Sequence, residues 1–323
     1  MAARKAIDFP LFSREESPIA RLTHFTAGFK STLKDLEDVL DLAFNRFPAY
    51  LVVRAAAPFK VTPNALTVMS FVFACAATWS LAVGRGGGAA LFIWLKVVFD
   101  CSDGQMARFT KSASRYGRFY DELADIIGQF LIFGGIGYAM MRAGFQWIIF
   151  WQIAGSLLFM GADITLFQNF RNYFIRTCEP RTGSALPTRR ALFLAIDGLD
   201  ALREATVRVI PLPNIRAHAE RHGWAPEPTE DLRAAFRKRF RPMVYVFSVF
   251  AGTSHLFAIA VLALIGRLEL IFPLFLLWYN VFLAAAIAIQ IISVAAFKRR
   301  YMASPAGLVF SPRRRRRAER ARI

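Results

Sequence analysis

The aspartates of the stretch DCSDGQMARFTKSASRYGRFYDELAD fall in two pairs, Asp100 with Asp103 and Asp121 with Asp125. Residues three or four apart share one face of a helix, so each pair sets two carboxylates side by side. The flanking segments are apolar enough to lie in lipid, where uncompensated charge is costly. Four carboxylates in one low-dielectric volume repel one another and take up protons unless positive charge compensates them. Hard divalent cations prefer oxygen ligands, and two carboxylate pairs can hold two such ions, with Mg²⁺ or Mn²⁺ the natural choice. No cluster of His or Cys offers a zinc alternative. Arg108 brings a planar fork suited to phosphate oxygens. Gly104, Ala107 and Gly117 keep side chains small where a ligand or a facing helix must approach. Metals and an arginine at a lipid boundary point to a phosphate-bearing ligand.

The elements that position these residues are membrane helices. The chain has 323 residues, 55% of them hydrophobic, with 32 Phe and 6 Trp. Its apolar runs predict six spans at roughly 65–83, 89–108, 117–141, 145–167, 243–266 and 270–296. Asp100 and Asp103 then lie near one end of the second span, and Asp121 and Asp125 near the adjoining end of the third. A short link between antiparallel helices lets the two pairs face each other. Basic residues crowd the 109–116 link, the 168–242 segment and both ends of the chain, with KRR at 298–300 and RRRRR at 313–317. The positive-inside rule therefore places the termini and the aspartates on the cytoplasmic side. The net charge of +18 fits an anionic membrane face better than nucleic acid, because no aromatics interleave with the arginines of the tail. Cys75, Cys101 and Cys178 have no paired spacing, which argues against a disulfide framework.

Three segments flank this core. Residues 31–44 repeat Leu33, Leu36, Val39, Leu40 and Ala43 on one face and acids on the other, predicting an amphipathic interfacial helix within an N-terminal segment, 1–62. The six-helix domain, 63–298, contains a long insert, 168–242, with helical stretches at 190–210 and 229–241. That insert covers the site, binds a partner or shields helix ends. A basic tail, 299–323, either binds anionic lipid or serves only as a topogenic signal.

The residues Asp100-x2-Asp103-Gly104-x2-Ala107-Arg108-x8-Gly117-x3-Asp121-x3-Asp125 resemble, at every fixed position, the signature of the CDP-alcohol phosphotransferase family of integral membrane enzymes. TPNALT at 62–67 is also similar to the family's start. The resemblance spans roughly 60–300 and leaves out the N-terminal helix, the insert and the tail. It implies transfer of a substituted phosphate from a CDP-linked alcohol to a second alcohol, with release of CMP, in phospholipid biosynthesis. It implies that Asp100, Asp103 and Asp121 bind two Mg²⁺ or Mn²⁺ ions, and that Asp125 is the general base and also touches a metal. It places the cytidine near Gly104, Ala107 and Gly117, and implies a homodimer. Asn64 and Thr67 either bind nucleotide or phosphate or serve as helix caps.

The acceptor is less legible. Lys111, Arg115 and Arg118 either hold a phosphorylated acceptor or only obey membrane topology. Glu122 stands where members using choline or ethanolamine phosphodonors often carry His. Ile126 stands where many phosphatidyl-transferring members carry Arg. Asp163, on the fourth span, contacts the acceptor or pairs with Lys96 or Arg171; Lys96 also has Asp100 one turn away. CDP-diacylglycerol is the expected donor, with a soluble CDP-alcohol as the alternative. A divalent-cation transporter would also use an aspartate cluster, but leaves Gly104, Ala107 and Arg108 without a role.

Overall fold

The computed structural model describes residues 38–112, 114–145, 148–178 and 230–302, and every element within them is helical. The first part of the predicted amphipathic helix, the 190–210 stretch and the basic tail lie outside the described residues. The described chain divides into two compact units. One runs up to Leu158 and adds Gly252–Leu276; the other combines Phe159–Ala251 with the chain from Leu277 onward.

The first unit holds the aspartates. A π-helical turn, Asp41–Asn45, leads into α1, Arg46–Ala56. After a 3-10 turn, Ala57–Phe59, Lys60 adopts the left-handed conformation and the chain reverses into α2, Pro63–Ala82. Pro63 occupies the first turn of α2, where its missing N–H costs nothing. Thr62 caps that turn by accepting from the Ala65 amide at 3.3 Å. The first span, expected from about residue 65, starts at Pro63, with Thr62 rather than Asn64 or Thr67 as the cap. Next come α3, Gly86–Phe109, and α4, Arg115–Arg142. Ser114 caps α4 by accepting from the Gly117 amide at 3.0 Å.

Helix α2 packs along both α3 and α4, whereas α3 and α4 touch each other only sparsely. Two glycine approaches to backbone in this unit are intimate. A Cβ on Gly135 of α4 would lie 2.7 Å from the Thr78 carbonyl oxygen of α2, and one on Gly86 of α3 would lie 2.0 Å from the Ala263 carbonyl oxygen. Ala263 belongs to α7, Gly252–Leu264, which packs on α3. Helix α1 lies on the far part of α3, where Val53, Leu66 and Met106 form a core with Phe99 and Phe109 around them.

The part of the predicted amphipathic helix that is described, from residue 38 on, leads into α1 and has a polar inner side. Asp41 is buried, accepting from Asn45 Nδ2 at 3.0 Å and from Thr253 Oγ1 at 3.0 Å, with Arg46 Nη2 at 3.6 Å. Val39, Leu42, Phe44, Phe47 and Leu51 are exposed. That polarity suits lipid outside and protein inside. It requires each buried polar group to find a partner, as Asp41 does.

In the second unit, α6, Glu230–Phe247, buries Leu232, Phe236, Phe240 and Phe247 on one stripe. Phe236 and Phe240 meet Phe297 edge-on, with centroids 5.8 and 5.4 Å apart. Phe297 ends α8, Tyr279–Phe297. The remaining long helix, α5, Ile149–Cys178, brings Phe174 to 5.6 Å from Phe236. The sequence placed a helix at 229–241 and began a span at 243. In the structure α6 continues through Pro242, and the chain breaks out of helix only at Ala251.

Four described helical segments are long and apolar enough to cross a membrane: Pro63–Ala82, Phe119–Arg142, Ile149–Gln168 and Leu268–Tyr301. A fifth is added if the helices on either side of Ala251 are one broken span. Helix α3 has the length, 24 residues, but carries Lys96, Asp100 and Asp103 in its interior. Large apolar side chains line the outside of these segments, among them Val68, Trp79, Phe130, Trp151, Leu158 and Ile292. Such exposure fits an acyl-chain environment and would be a liability in water. The described residues are all helical, and their long apolar helices are those of an integral membrane protein.

Gly135→Leu is expected to destabilise the protein by about 1–3 kcal/mol, because overpacking forces α2 and α4 apart. Gly134→Leu enters open space and should leave stability nearly unchanged. Thermal unfolding in detergent, followed by tryptophan fluorescence, checks the contrast.

Candidate active site

The motif residues are set by the facing sides of α3 and α4. Asp103 is buried, and Asp100, Asp121 and Asp125 are half-buried. Each of Asp100, Asp103 and Asp121 offers an oxygen, and the three oxygens lie within 4.8 Å of one another. Asp125 is not part of this trio. Its carboxylate receives a short hydrogen bond and ion pair from Lys96 Nζ, which also lies 3.8 Å from Asp100 Oδ1. Lys96 is 3% exposed, so its charge is met by these two carboxylates rather than by water. The local pairing of Lys96 with Asp100 was legible from their spacing. The pairing with Asp125, across two helices, was not.

Helix α2 supplies the third wall. Thr67 Oγ1 donates to Asp103 Oδ2 at 2.6 Å and lies 3.3 Å from the Pro63 carbonyl oxygen. Ser70 Oγ donates to the Lys96 carbonyl oxygen at 3.0 Å, fastening α3 to α2 at the turn that carries the lysine. Behind the site, Gln105 Nε2 donates to the Arg46 carbonyl oxygen at 3.0 Å. Ser102 Oγ donates to the Val98 carbonyl oxygen at 2.6 Å, with the Ala49 carbonyl oxygen at 3.3 Å. Gln105 and Ser102 lie between the motif's named positions, and the sequence reading gave neither a place in the site; Lys96 lies four residues before the motif and was read only as a partner of Asp100 or Asp163.

The small residues leave room for specific groups. A Cβ on Gly104 would meet Arg108 Nη1 at 3.4 Å, so the guanidinium folds back over the bare glycine. A Cβ on Gly117 would meet Ser114 Oγ at 3.2 Å and Asn64 Oδ1 at 3.5 Å. The structure thus brings Asn64 to the first turn of α4 and Thr67 to the carboxylates. Ala107 is half-buried on α3.

Of the residues considered for the acceptor, Lys111 is exposed in the α3–α4 link, with φ +51°. Glu122 is half-buried on α4 beside Asp121. The side chains of Arg115 and Arg118 lie outside the described part of the structure. Asp163 is 1% exposed and belongs to the second unit. The ion pairs of Lys96 are with Asp100 and Asp125, not with Asp163. His255 is fully buried, edge-on to Phe275 with centroids 5.0 Å apart. Cys101 is buried as an apolar helix residue.

The trio suits a hard divalent cation. All its donors are oxygens, and Asp121 Oδ1 is buried with no hydrogen-bond partner. A buried carboxylate oxygen left unbonded is costly, and a cation would satisfy it.

Residues 60–193 match the family model of the CDP-alcohol phosphatidyltransferases. The match starts just before α2 and takes in α2, α3, α4 and α5, and with them all four aspartates. No curated protein matches the chain in sequence. That model describes a transferase family acting on CDP-linked alcohols, and the matched residues include the acidic cluster.

The Thr67 hydroxyl bonded to Asp103 gives a test of the cluster. A partner that orients a ligand carboxylate typically contributes about tenfold or more to metal affinity. Thr67→Val is therefore expected to weaken Mn²⁺ binding about tenfold while thermal stability changes little. Titration of the purified protein with Mn²⁺ measures the affinity and thermal unfolding the stability, and unchanged affinity would separate Thr67 from metal binding.

Proposed function

We propose that the protein transfers the phosphatidyl group of CDP-diacylglycerol to the hydroxyl of a second alcohol and releases CMP. The observation that carries this reading is the division of the four aspartates: three oxygens converge as a cation trio, and the fourth carboxylate stands apart on a lysine. A site that only held ions would have no need of that separation, whereas transfer needs both a charge-neutralising centre and a base.

Asp100, Asp103 and Asp121 would hold Mg²⁺ or Mn²⁺, which supplies charge neutralisation at the diphosphate of the donor. Arg108, folded over Gly104, extends its fork to the phosphate oxygens. The bare surfaces of Gly104, Ala107 and Gly117 receive the cytidine, with Asn64 at the edge. The acceptor oxygen attacks the phosphorus that bears diacylglycerol. Asp125 takes the proton from that hydroxyl, because a neutral alcohol is a poor nucleophile. The bond from that phosphorus to the bridging oxygen breaks, and CMP leaves with the electron pair. Lys111, Arg115, Arg118, Glu122 and Asp163 are the candidates for contacting the acceptor. Soluble CMP and a lipid-borne donor meet most simply at the cytoplasmic rim. The density of Arg and Lys near these helix ends favours that side, and with it six spans and cytoplasmic termini. The tail's arginines would reinforce attachment to anionic lipid, and the active form would be a homodimer.

Purified protein in vesicles containing CDP-diacylglycerol is expected to release CMP when Mg²⁺ or Mn²⁺ and the right alcohol are present, and to stop when the metal is chelated. Asp125→Asn should lower transfer by roughly 10²–10⁴-fold, the usual worth of a general base. Full activity in that variant would remove Asp125 from the base role. Lipid mass spectrometry of cells with and without the protein would name the acceptor.

A further inference from the structure

We infer that Lys96 occupies the place of a second cation, so that the site takes one divalent ion and completes its charge with a lysine ammonium. The inference rests on the metal-dependent transfer proposed above and concerns how many ions that transfer uses.

Four carboxylates would ordinarily accommodate two ions that share a bridging ligand. Here they sort into two groups. Three oxygens lie within 4.8 Å of one another. An octahedral Mg²⁺ with ligands at about 2.1 Å sets neighbouring donors about 3 Å apart and opposite ones about 4 Å apart. The trio is therefore the right size for one ion, with water or phosphate completing the shell. A second ion would need Asp125 and would share a carboxylate with the first. Asp100 is the carboxylate in reach of both groups. The point between Asp100 and Asp125 is where Lys96 Nζ stands, paired to one and 3.8 Å from the other.

That ammonium is not easily displaced. Lys96 emerges from inside α3 one turn before Asp100, and it is buried. Its carbonyl oxygen is held by Ser70 of α2. Expelling the side chain would leave a buried ammonium without its counter-charges, which is strongly unfavourable. Lys96 thus acts as a positioning residue. It holds Asp125 on the ammonium, outside the metal trio, where it is left to meet an acceptor hydroxyl.

The test is a Mn²⁺ titration of the full-length protein in nanodiscs, with and without CMP, reading stoichiometry by the loss of the free-ion electron paramagnetic resonance signal. A second readout is spin coupling, which appears only when two Mn²⁺ ions share a ligand. The wild type is expected to bind one uncoupled Mn²⁺ per chain, Lys96→Arg also one, and Lys96→Met two that are coupled. Two coupled ions in the wild type would overturn the inference and leave the transfer mechanism standing. A single ion in a folded Lys96→Met variant would overturn it as well. If Lys96→Met does not fold, the wild-type count and coupling decide the matter alone. Failure of the wild type to bind Mn²⁺, or binding unaffected by Asp103→Ala, would instead remove the metal reading on which the inference stands.

Discussion

A buried ammonium between two helices is the interaction on which the rest of this site depends. Lys96 has almost no contact with solvent, and an ion in such surroundings persists only where opposite charge is close. Asp100 supplies that charge on its own helix and Asp125 supplies it from α4. The lysine therefore sets the spacing of two helices that otherwise touch little. With that spacing held, three carboxylate oxygens face one another within 4.8 Å. Attraction on one side of the cluster makes repulsion on the other side tolerable.

The space between α3 and α4 depends equally on what α2 does. It packs on both neighbours, and on the α4 side the contact is backbone against glycine, at Thr78 and Gly135. In a lipid environment, where burial of apolar surface does not drive helices together, close backbone approach and hydrogen bonds do more of the work. Thr67 and Ser70, one turn apart on α2, each donate a hydrogen bond to α3. Helix α2 is thus a shared wall that fixes both halves of the motif, while those halves touch each other only sparsely.

Much of the site could be read from residue spacing. Asp100 and Asp103 share a face of α3, Asp121 and Asp125 share one of α4, and three of the four converge. What escaped was every relation that crosses between helices at a position the motif leaves free. Lys96 to Asp125 is such a relation, since local spacing reveals only Asp100. Gln105 and Ser102 are others, because they bond to backbone carbonyls, which carry no sequence signal. The fold was legible in its helices and less so in its limits. The basic run RKRFR was read as the end of an insert, yet α6 passes through it to Phe247. Charge marks where lipid ends, and a helix need not end there. The amphipathic pattern at 31–44 says that a helix has two faces, but not which face meets the protein; the structure shows Asp41 on the inner side.

The outward apolar face of α1 has a consequence for how the protein can vary. The bonds that tie α1 to the motif helix end on the main-chain oxygens of Arg46 and Ala49, whose existence does not depend on side-chain identity. The outward positions Phe47 and Leu51 contribute nothing to those bonds. Substitution there can follow the thickness or fluidity of a host membrane while the catalytic geometry stays as it is. The lipid-facing surface and the chemistry are, in this part of the chain, separately adjustable.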